Sequence, residues 1–266
     1  MHLKALEVGI AISCRGSGAA ELVDAVRRAW DRCVSEEVSQ GGDHRLTVVL
    51  DGDQQRLATL AEGADLYGSD PELLMDRLSP LVTRLAVTER RHDLTMFHAC
   101  AAADPASGLT AVLFGPSGTG KTTLARALCG ELVYLSDETA GVTSDLEVLP
   151  YPKPLSVIER PGHAVKAQVS PSEIGLVAHE AGPYRLGALV ELHRDPDHRG
   201  PVRLEELTTI DALPALVAQT SFTRSMDRPL ARMAGIADRV GGVRRVTYAE
   251  SVDLLPVVRE LLRAAA

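Results

Sequence analysis

One octapeptide constrains this chain more than any other feature: residues 115–122 read GPSGTGKT. The apolar run 109–114 precedes it, and residues 123–129 follow it with apolar side chains at helical spacing. A strand, a glycine-rich loop and a helix in this order are typical of the phosphate-binding loop, in which backbone N–H groups and the helix N-terminus surround phosphate oxygens. The pattern therefore predicts that the chain binds a nucleoside triphosphate.

The loop pattern also assigns roles to its polar side chains. Lys121 is predicted to reach the β- and γ-phosphates and the Thr122 hydroxyl to ligate Mg²⁺, so the expected cofactors are ATP and Mg²⁺. Of the 28 lysines and arginines only four are lysine, which indicates that position 121 requires a compact ammonium group. The residues expected to contact the nucleotide are Gly115, Pro116, Ser117, Gly118, Thr119, Gly120, Lys121, Thr122 and Thr123.

Composition excludes several other classes of function. The net charge is -8, and no basic stripe carries interleaved aromatic residues, so nucleic acid is not an expected partner. No apolar run is long enough to span a membrane, and a membrane is not an expected partner. The four cysteines stand singly without a CxxC pair, which favours reduced thiols in a cytoplasmic protein over a zinc site or a disulfide framework.

Periodicity and turn signals predict an α/β chain with two domains. A small α+β N-terminal domain is expected over residues 1–90 and a nucleotide-binding domain over 91–266. In the first domain strands are expected at 3–13 and 45–50 and helices at 19–33 and 71–87. In the second, strands are expected at 94–102, 109–114, 131–136, 187–192, 202–207 and 243–248, helices at 123–129, 214–217, 230–240 and 249–265, and loops with short strands over 145–185.

An acidic pair completes the predicted magnesium site. The strand at 131–136 is followed by Asp137 and Glu138, separated from the phosphate loop by one helix and one turn. An acid at the carboxyl end of a strand beside the loop is where Mg²⁺ needs a ligand, directly or through water. The alternative is that Asp137 merely caps the next turn. Glu138 would point the other way along an extended backbone, so it is the weaker metal ligand of the two.

Two further residues have a functional and a structural interpretation. His98 lies in an apolar strand, where it is either a satisfied core histidine or a catalytic group. Lys153 stands between two prolines, where it is either an exposed loop lysine or a cation directed at a phosphate or a substrate carboxylate.

Together these residues resemble HPr kinase/phosphorylase and its wider kinase family. That family joins a similar phosphate loop to an acidic strand end after one short helix, with a histidine shortly before the loop. Here the similar features are His98, residues 115–122 and the segment YLSDE, within a resemblance that covers roughly 94–155. The resemblance implies a mixed-sheet core related to the nucleotide-binding part of phosphoenolpyruvate carboxykinase. It also implies Asp137 as the catalytic acid, and relatives in this family often assemble into homo-oligomers.

The chain departs from that family in several places. Asp137-Glu138 stands where HPr kinase/phosphorylase usually has two aspartates, and the proline–glycine–arginine–asparagine signature tied to its phosphatase activity has no counterpart. Residues 1–90 do not resemble its N-terminal domain. The segment PYPKPLSV at 150–157 is similar instead to shortened relatives in peptide natural-product clusters, some of which phosphorylate the C-terminal serine of lasso-peptide precursors. This similarity favours catalytic roles for His98 and Lys153.

The function expected is that of an ATP-dependent kinase acting on a hydroxyl, with Lys121, Asp137, His98 and Lys153 as catalytic residues and Thr122, Asp137 and Glu138 as metal ligands. The expected acceptor is a serine of a peptide or protein. The alternatives are a small-molecule hydroxyl kinase and a nucleotide-binding switch or assembly factor with slow hydrolysis. The residues leave open whether Asp137 is ligand or base, whether phosphate is also removed, and whether GTP replaces ATP.

Overall fold

The computed structural model describes residues 1–35, 44–158, 162, 164–178 and 182–266. The chain divides into two compact units, one of Met1–Glu89 with Pro152–Ile174 and one of Arg90–Tyr151 with Gly175–Ala266. The sequence places the boundary at 90/91 and assigns all of 91–266 to the second domain, whereas residues 152–174 belong to the first unit. Parts of the stretch 145–185, for which loops were predicted, lie outside the described residues.

The described residues form the following strands and helices. The strands are β1 (His2–Ala5), β2 (Val8–Arg15), β3 (His44–Leu50), β4 (Leu66–Gly68), β5 (Thr95–Ala103), β6 (Leu109–Phe114), β7 (Val133–Ser136), β8 (Thr139–Val142), β9 (Val148–Leu149), β10 (Leu155–Val157), β11 (Ala167–Val169), β12 (Arg185–Arg194), β13 (Arg203–Leu207) and β14 (Val243–Tyr248). The helices are α1 (Ala19–Ala29), α2 (Gln54–Leu60), α3 (Pro71–Glu89), α4 (Lys121–Leu128), α5 (Thr209–Ala218), α6 (Pro229–Arg239) and α7 (Leu254–Ala264).

The first unit combines helices with the sheet β1-β2-β3-β4 and the pair β10-β11. The strands β2, β3 and β4 run parallel, and β1 is antiparallel to β2. The prediction of one strand over 3–13 is wrong, because Leu6 and Glu7 adopt positive φ angles of 50° and 66° and turn the chain into a hairpin. As predicted, Asp70 begins α3, where its carboxylate accepts hydrogen bonds from the N–H groups of Glu72 and Leu73.

The second unit is built on a mixed sheet with strand order β13-β14-β12-β6-β5-β8-β9, in which β7 also pairs with β5. The strands β6, β12 and β14 are parallel, and β5 is antiparallel to β6. This arrangement confirms the predicted α/β class with a mixed sheet and a phosphate loop between a strand and a helix. The carboxyl ends of β6, β12 and β14 lie at one edge of the sheet, where α/β folds bind ligands.

The core of the second unit packs small and aromatic side chains against one another. Ala99, Ala101 and Ala103 on β5 are fully buried, and the rings of Phe97 and Phe114 stack with centroids 6.4 Å apart. Truncation of a phenylalanine buried in this way costs about 3–5 kcal/mol. The strand that leads into the phosphate loop, β6, is therefore fixed between β12 and β5 and packed through the buried ring of Phe114. Among the described residues, none of the helices combines the length and the apolar character that crossing a membrane requires.

Candidate nucleotide-binding site

The phosphate loop connects the end of β6 to the start of α4. Gly118 and Gly120 have φ angles of 88° and 80°, a left-handed conformation that favours glycine over any residue with a side chain. Gly115 packs closely against β12, since a Cβ atom there would lie 3.1 Å from both the Cβ and the carbonyl oxygen of Leu192. Residues 116–118 are exposed, as a loop that receives phosphate must be.

Lys121 is buried at the first position of α4. Its Nζ donates hydrogen bonds to the Gly115 carbonyl at 2.8 Å and to the Pro116 carbonyl at 3.2 Å, so the ammonium group closes the loop on itself. Burial lowers the pKa of Lys121, and the negative charges of Asp137 and Glu138 oppose that effect. A triphosphate would offer this ammonium group stronger, charged acceptors than the two carbonyls.

Asp137 lies at the start of the turn after β7, with 4% of its surface exposed. Its Oδ2 accepts a hydrogen bond from the Thr122 hydroxyl at 2.9 Å, and its Oδ1 accepts one from the Tyr134 hydroxyl at 3.1 Å. The Ser136 hydroxyl holds the turn by accepting from the N–H groups of Glu138 and Thr139. The structure thus brings Thr122 and Asp137 into direct contact, as a connection of one helix and one turn allows.

A hydroxyl beside a carboxylate is a suitable donor set for Mg²⁺, which prefers oxygen ligands and keeps several waters. No cluster of three or more His, Cys, Asp or Glu side chains able to hold a metal occurs in the part of the chain that the structure describes. A magnesium site completed by nucleotide phosphates needs only one or two protein ligands, so Thr122 and Asp137 fit it.

His98 and Glu138 lie near the same charges. Burial and the positive charge of Lys121 lower the pKa of His98, whereas the Glu138 charge and a hydrogen bond to the Glu138 carbonyl act to raise it. The backbone supports this placement, since the Ala99 N–H donates to the Glu138 carbonyl at 3.0 Å. His98, Lys121, Asp137 and Glu138 therefore share one electrostatic environment, while the catalytic role of His98 and metal ligation by Glu138 remain predictions.

Lys153 belongs to the first unit, with 1% of its surface exposed. Its Nζ donates to the Pro154 carbonyl at 2.9 Å, and its charge opposes the burial that raises the pKa of Cys33 to about 12. The interpretation as an exposed loop lysine is therefore wrong. Its catalytic role remains a prediction.

Sequence reasoning missed Tyr134, a fully buried tyrosine whose pKa burial and the Asp137 charge hold well above the ordinary value. Its hydroxyl fixes one carboxylate oxygen of Asp137 while Thr122 holds the other. The available signal was the position of Tyr134, which stands between Val133 and Leu135 and three positions before Asp137.

Comparisons with known proteins support a phosphate-binding loop in this chain and do not identify its family. A model of the family described as "ATPase family associated with various cellular activities (AAA)" matches residues 111–148. The solved structure of the Hpr(Ser) kinase/phosphatase from Coxiella burnetii is similar with a TM-score of 0.32 and 13% identity, over 64% of this chain and 94% of that chain. No curated protein matches the chain. The chain carries a P-loop nucleotide-binding core, and these likenesses assign it to no family.

Proposed function

We propose that the chain is an ATP- and Mg²⁺-dependent kinase that transfers the γ-phosphoryl group to a hydroxyl. The observation that carries the proposal is the contact of 2.9 Å between the Thr122 hydroxyl and the Asp137 carboxylate at the start of the loop helix. It supports a catalytic site because the motif predicts that Thr122 and Lys121 lie beside the terminal phosphates of a bound nucleotide, and Asp137 contacts the Thr122 hydroxyl.

In the proposed reaction the bond between the γ-phosphorus and the β,γ-bridging oxygen breaks, and the acceptor oxygen forms a new bond to that phosphorus. ADP leaves with the bridging oxygen, and the acceptor proton passes to Asp137 or His98. Lys121 would bind the β- and γ-phosphates and offset the charge that develops on ADP. Thr122 and Asp137 would hold Mg²⁺, which supplies charge neutralisation across the β- and γ-phosphates.

The two possible roles of Asp137 compete, because one carboxylate cannot be a tight metal ligand and a free base at once. Its oxygens already face the Thr122 and Tyr134 hydroxyls, which supports the role of ligand. His98 would then accept the proton. A His98→Asn variant that loses turnover while keeping the magnesium requirement of the unchanged protein is the expected result.

We infer that the acceptor is a serine of a peptide or protein, with lasso-type precursor peptides as one such class. The support is the similarity of residues 150–157, the segment around Lys153, to shortened relatives of HPr kinase in peptide natural-product clusters. A small-molecule hydroxyl is the alternative acceptor. Both use the same transfer chemistry, so they differ only in the product that carries the phosphate.

The test combines ATP labelled at the γ-phosphate with serine-containing peptides and with matched peptides in which alanine replaces serine. Phosphate should appear on the serine peptide only, and Asp137→Asn should abolish transfer. Asp145→Asn, at an exposed aspartate of the same unit, is the control and should leave transfer unchanged. Turnover that survives both Asp137→Asn and Lys121→Ala would refute the site.

A second candidate is an ATP-hydrolysing switch or assembly factor. The observation that favours it is the AAA family match, which covers most of β6, the loop, α4 and the acidic turn. In that case ATP consumption would not depend on an acceptor, and all of the label would be released as inorganic phosphate. The same labelling experiment therefore separates the two candidates.

A further inference from the structure

Tyr248, the last residue of β14, makes a contact with the phosphate loop that neither the motif nor the proposed chemistry explains. The residue is fully buried, and its hydroxyl donates a hydrogen bond to the Thr119 carbonyl at 3.2 Å. We propose that Tyr248 is a positioning residue for the phosphate loop, which orients the Gly120 N–H toward the β-phosphate. This proposal rests on the nucleotide site of the proposed function and adds a determinant of its affinity.

The geometry of the peptide bond connects the tyrosine to the phosphate. In a planar trans peptide the C=O and the following N–H point in opposite directions. A hydrogen bond that fixes the Thr119 carbonyl toward Tyr248 therefore fixes the Gly120 N–H away from it. Backbone N–H groups in this part of the motif are the ones that surround the phosphate oxygens. The Tyr248 hydroxyl thus sets the direction of the Gly120 N–H, which would donate to the phosphate, without touching the nucleotide.

Without this bond, the peptide would be held mainly by the loop itself. The Thr119 hydroxyl and N–H both donate to the Pro116 carbonyl, at 2.8 and 3.4 Å. The neighbouring Gly118 and Gly120 have φ angles of 88° and 80°, and glycine rotates between such conformations at little cost. Tyr248 ties this peptide to the parallel strands of the sheet, because β14 pairs with β12 and β12 pairs with β6.

The placement of Tyr248 follows from the sheet. In the parallel register Tyr248 lies opposite Arg194 at the carboxyl end of β12, and the Arg194 Nε donates to the Ala249 carbonyl at 3.2 Å. Tyr248 therefore lies two strands away from β6, and its side chain reaches the phosphate loop that follows β6. A buried tyrosine needs one partner for its hydroxyl, and here that partner belongs to the loop that binds the ligand.

The test compares Tyr248→Phe with the unchanged protein in titrations with ATP and with ADP. Loss of one hydrogen bond of this kind should weaken the affinity for both nucleotides by the same factor, about three- to tenfold, because both carry the β-phosphate. In turnover the KM for ATP should rise by that factor while kcat stays within about twofold. Tyr67→Phe, at an exposed tyrosine of the first unit, is the matched control.

Two outcomes would overturn the proposal. One is an unchanged affinity for ATP and ADP in Tyr248→Phe, even with a lowered Tm, since that marks an ordinary core tyrosine. The other is weaker binding of ATP with unchanged binding of ADP. If the unchanged protein binds neither nucleotide, the nucleotide site itself fails, which is a different result. Should Tyr248→Phe not fold, 4-fluorophenylalanine at 248 fills the hydroxyl volume without a donor, and 4-aminophenylalanine should restore the affinity.

Discussion

Two turns of the same local design occur in this chain, and only one has the features of a nucleotide site. In each unit a strand passes through glycines into a helix, at residues 16–18 between β2 and α1 and at 115–120 between β6 and α4. In the first unit the buried Asp51 carboxylate accepts a hydrogen bond from the Ser17 N–H at 3.0 Å. The chain thus supplies its own anion to that turn. In the second unit residues 116–118 of the turn are exposed, and the buried Lys121 follows the turn at the start of α4.

The packing of the glycines differs in the same way. A Cβ atom at Gly16 would lie 2.3 Å from the Leu50 carbonyl oxygen, and one at Gly18 would lie 2.6 Å from the Leu50 side chain. A Cβ atom at Gly118 would meet nothing within 4 Å. Both glycines of the first turn permit close packing, whereas in the second turn Gly118 borders open space. A strand, glycines and a helix are therefore not sufficient for phosphate binding.

The largest expected effect is the loss of the Lys121 charge, which the first turn lacks. Lys121→Ala should lower the affinity for ATP at least about a hundredfold, because a charge-assisted contact to two phosphates is lost. Nucleotide titration of the folded variant measures this. Lys166→Ala, at an exposed lysine of the first unit, should bind ATP as the unchanged protein does. An affinity within threefold of the original in Lys121→Ala would place the nucleotide elsewhere.

The next effect concerns the hydroxyl that faces Asp137. Thr122→Val keeps the shape of the side chain but removes the oxygen, so turnover should fall ~10- to 100-fold and more Mg²⁺ should be needed. Thr122→Ser should stay within about threefold of the original. Magnesium titrations of ATP consumption measure both, with the exposed Thr59→Val as the control for a threonine in a helix. An equal loss of turnover in the valine and serine variants would show that the Thr122 hydroxyl does not determine turnover.

The parts of the molecule that sequence predicted are those set by local pattern. The order of strand, loop and helix around residues 115–122 follows from glycines, apolar spacing and a short connection to Asp137. The break at Leu6 and Glu7 was not predictable, since neither residue is a glycine and apolar residues resume directly after Glu7. The membership of 152–174 in the first unit and the contacts of Tyr134 and Tyr248 depend on long-range packing.

A smaller effect tests the first turn. Asp51→Asn should lower the Tm at neutral pH and leave the affinity for ATP unchanged, because the Asp51 carboxylate serves structure alone. The N–H groups of Asp53 and Ser17 hold the pKa of Asp51 below its ordinary value of 3.8. The stabilisation is therefore present above that value and lost as the pH falls through the lowered pKa. Below it, the Tm values of the two proteins should converge.

The control for this prediction is Asp24→Asn, at an exposed aspartate of α1. It should shift the Tm little at any pH. A loss of ATP affinity in Asp51→Asn as large as its effect on the Tm would contradict the division of roles between the two turns.

The smallest expected effect is one on stability. Burial and the Lys121 charge hold the pKa of His98 below its ordinary value of 6.5. The unfolded chain takes up a proton on this histidine near that value, and the folded chain does so only at lower pH. Stability should therefore be complete above 6.5 and decrease as the pH falls through the lowered pKa. Between pH 7.5 and 5.5 the Tm of the unchanged protein should fall slightly more than that of His98→Asn.

The exposed His92→Asn should behave as the unchanged protein does in this comparison. Adding ADP without Mg²⁺ should change the dependence of the Tm on pH at the phosphate loop and not at the first turn. Phosphates bound at Lys121 would offset its positive charge, so the pKa of His98 should rise and the decrease in Tm at low pH should shrink. The Asp51 profile should not change with ADP, because that turn already holds its own carboxylate. If ADP changes the dependence of the Tm on pH that Asp51 causes, or leaves the dependence that His98 causes unchanged, the phosphates do not bind beside Lys121.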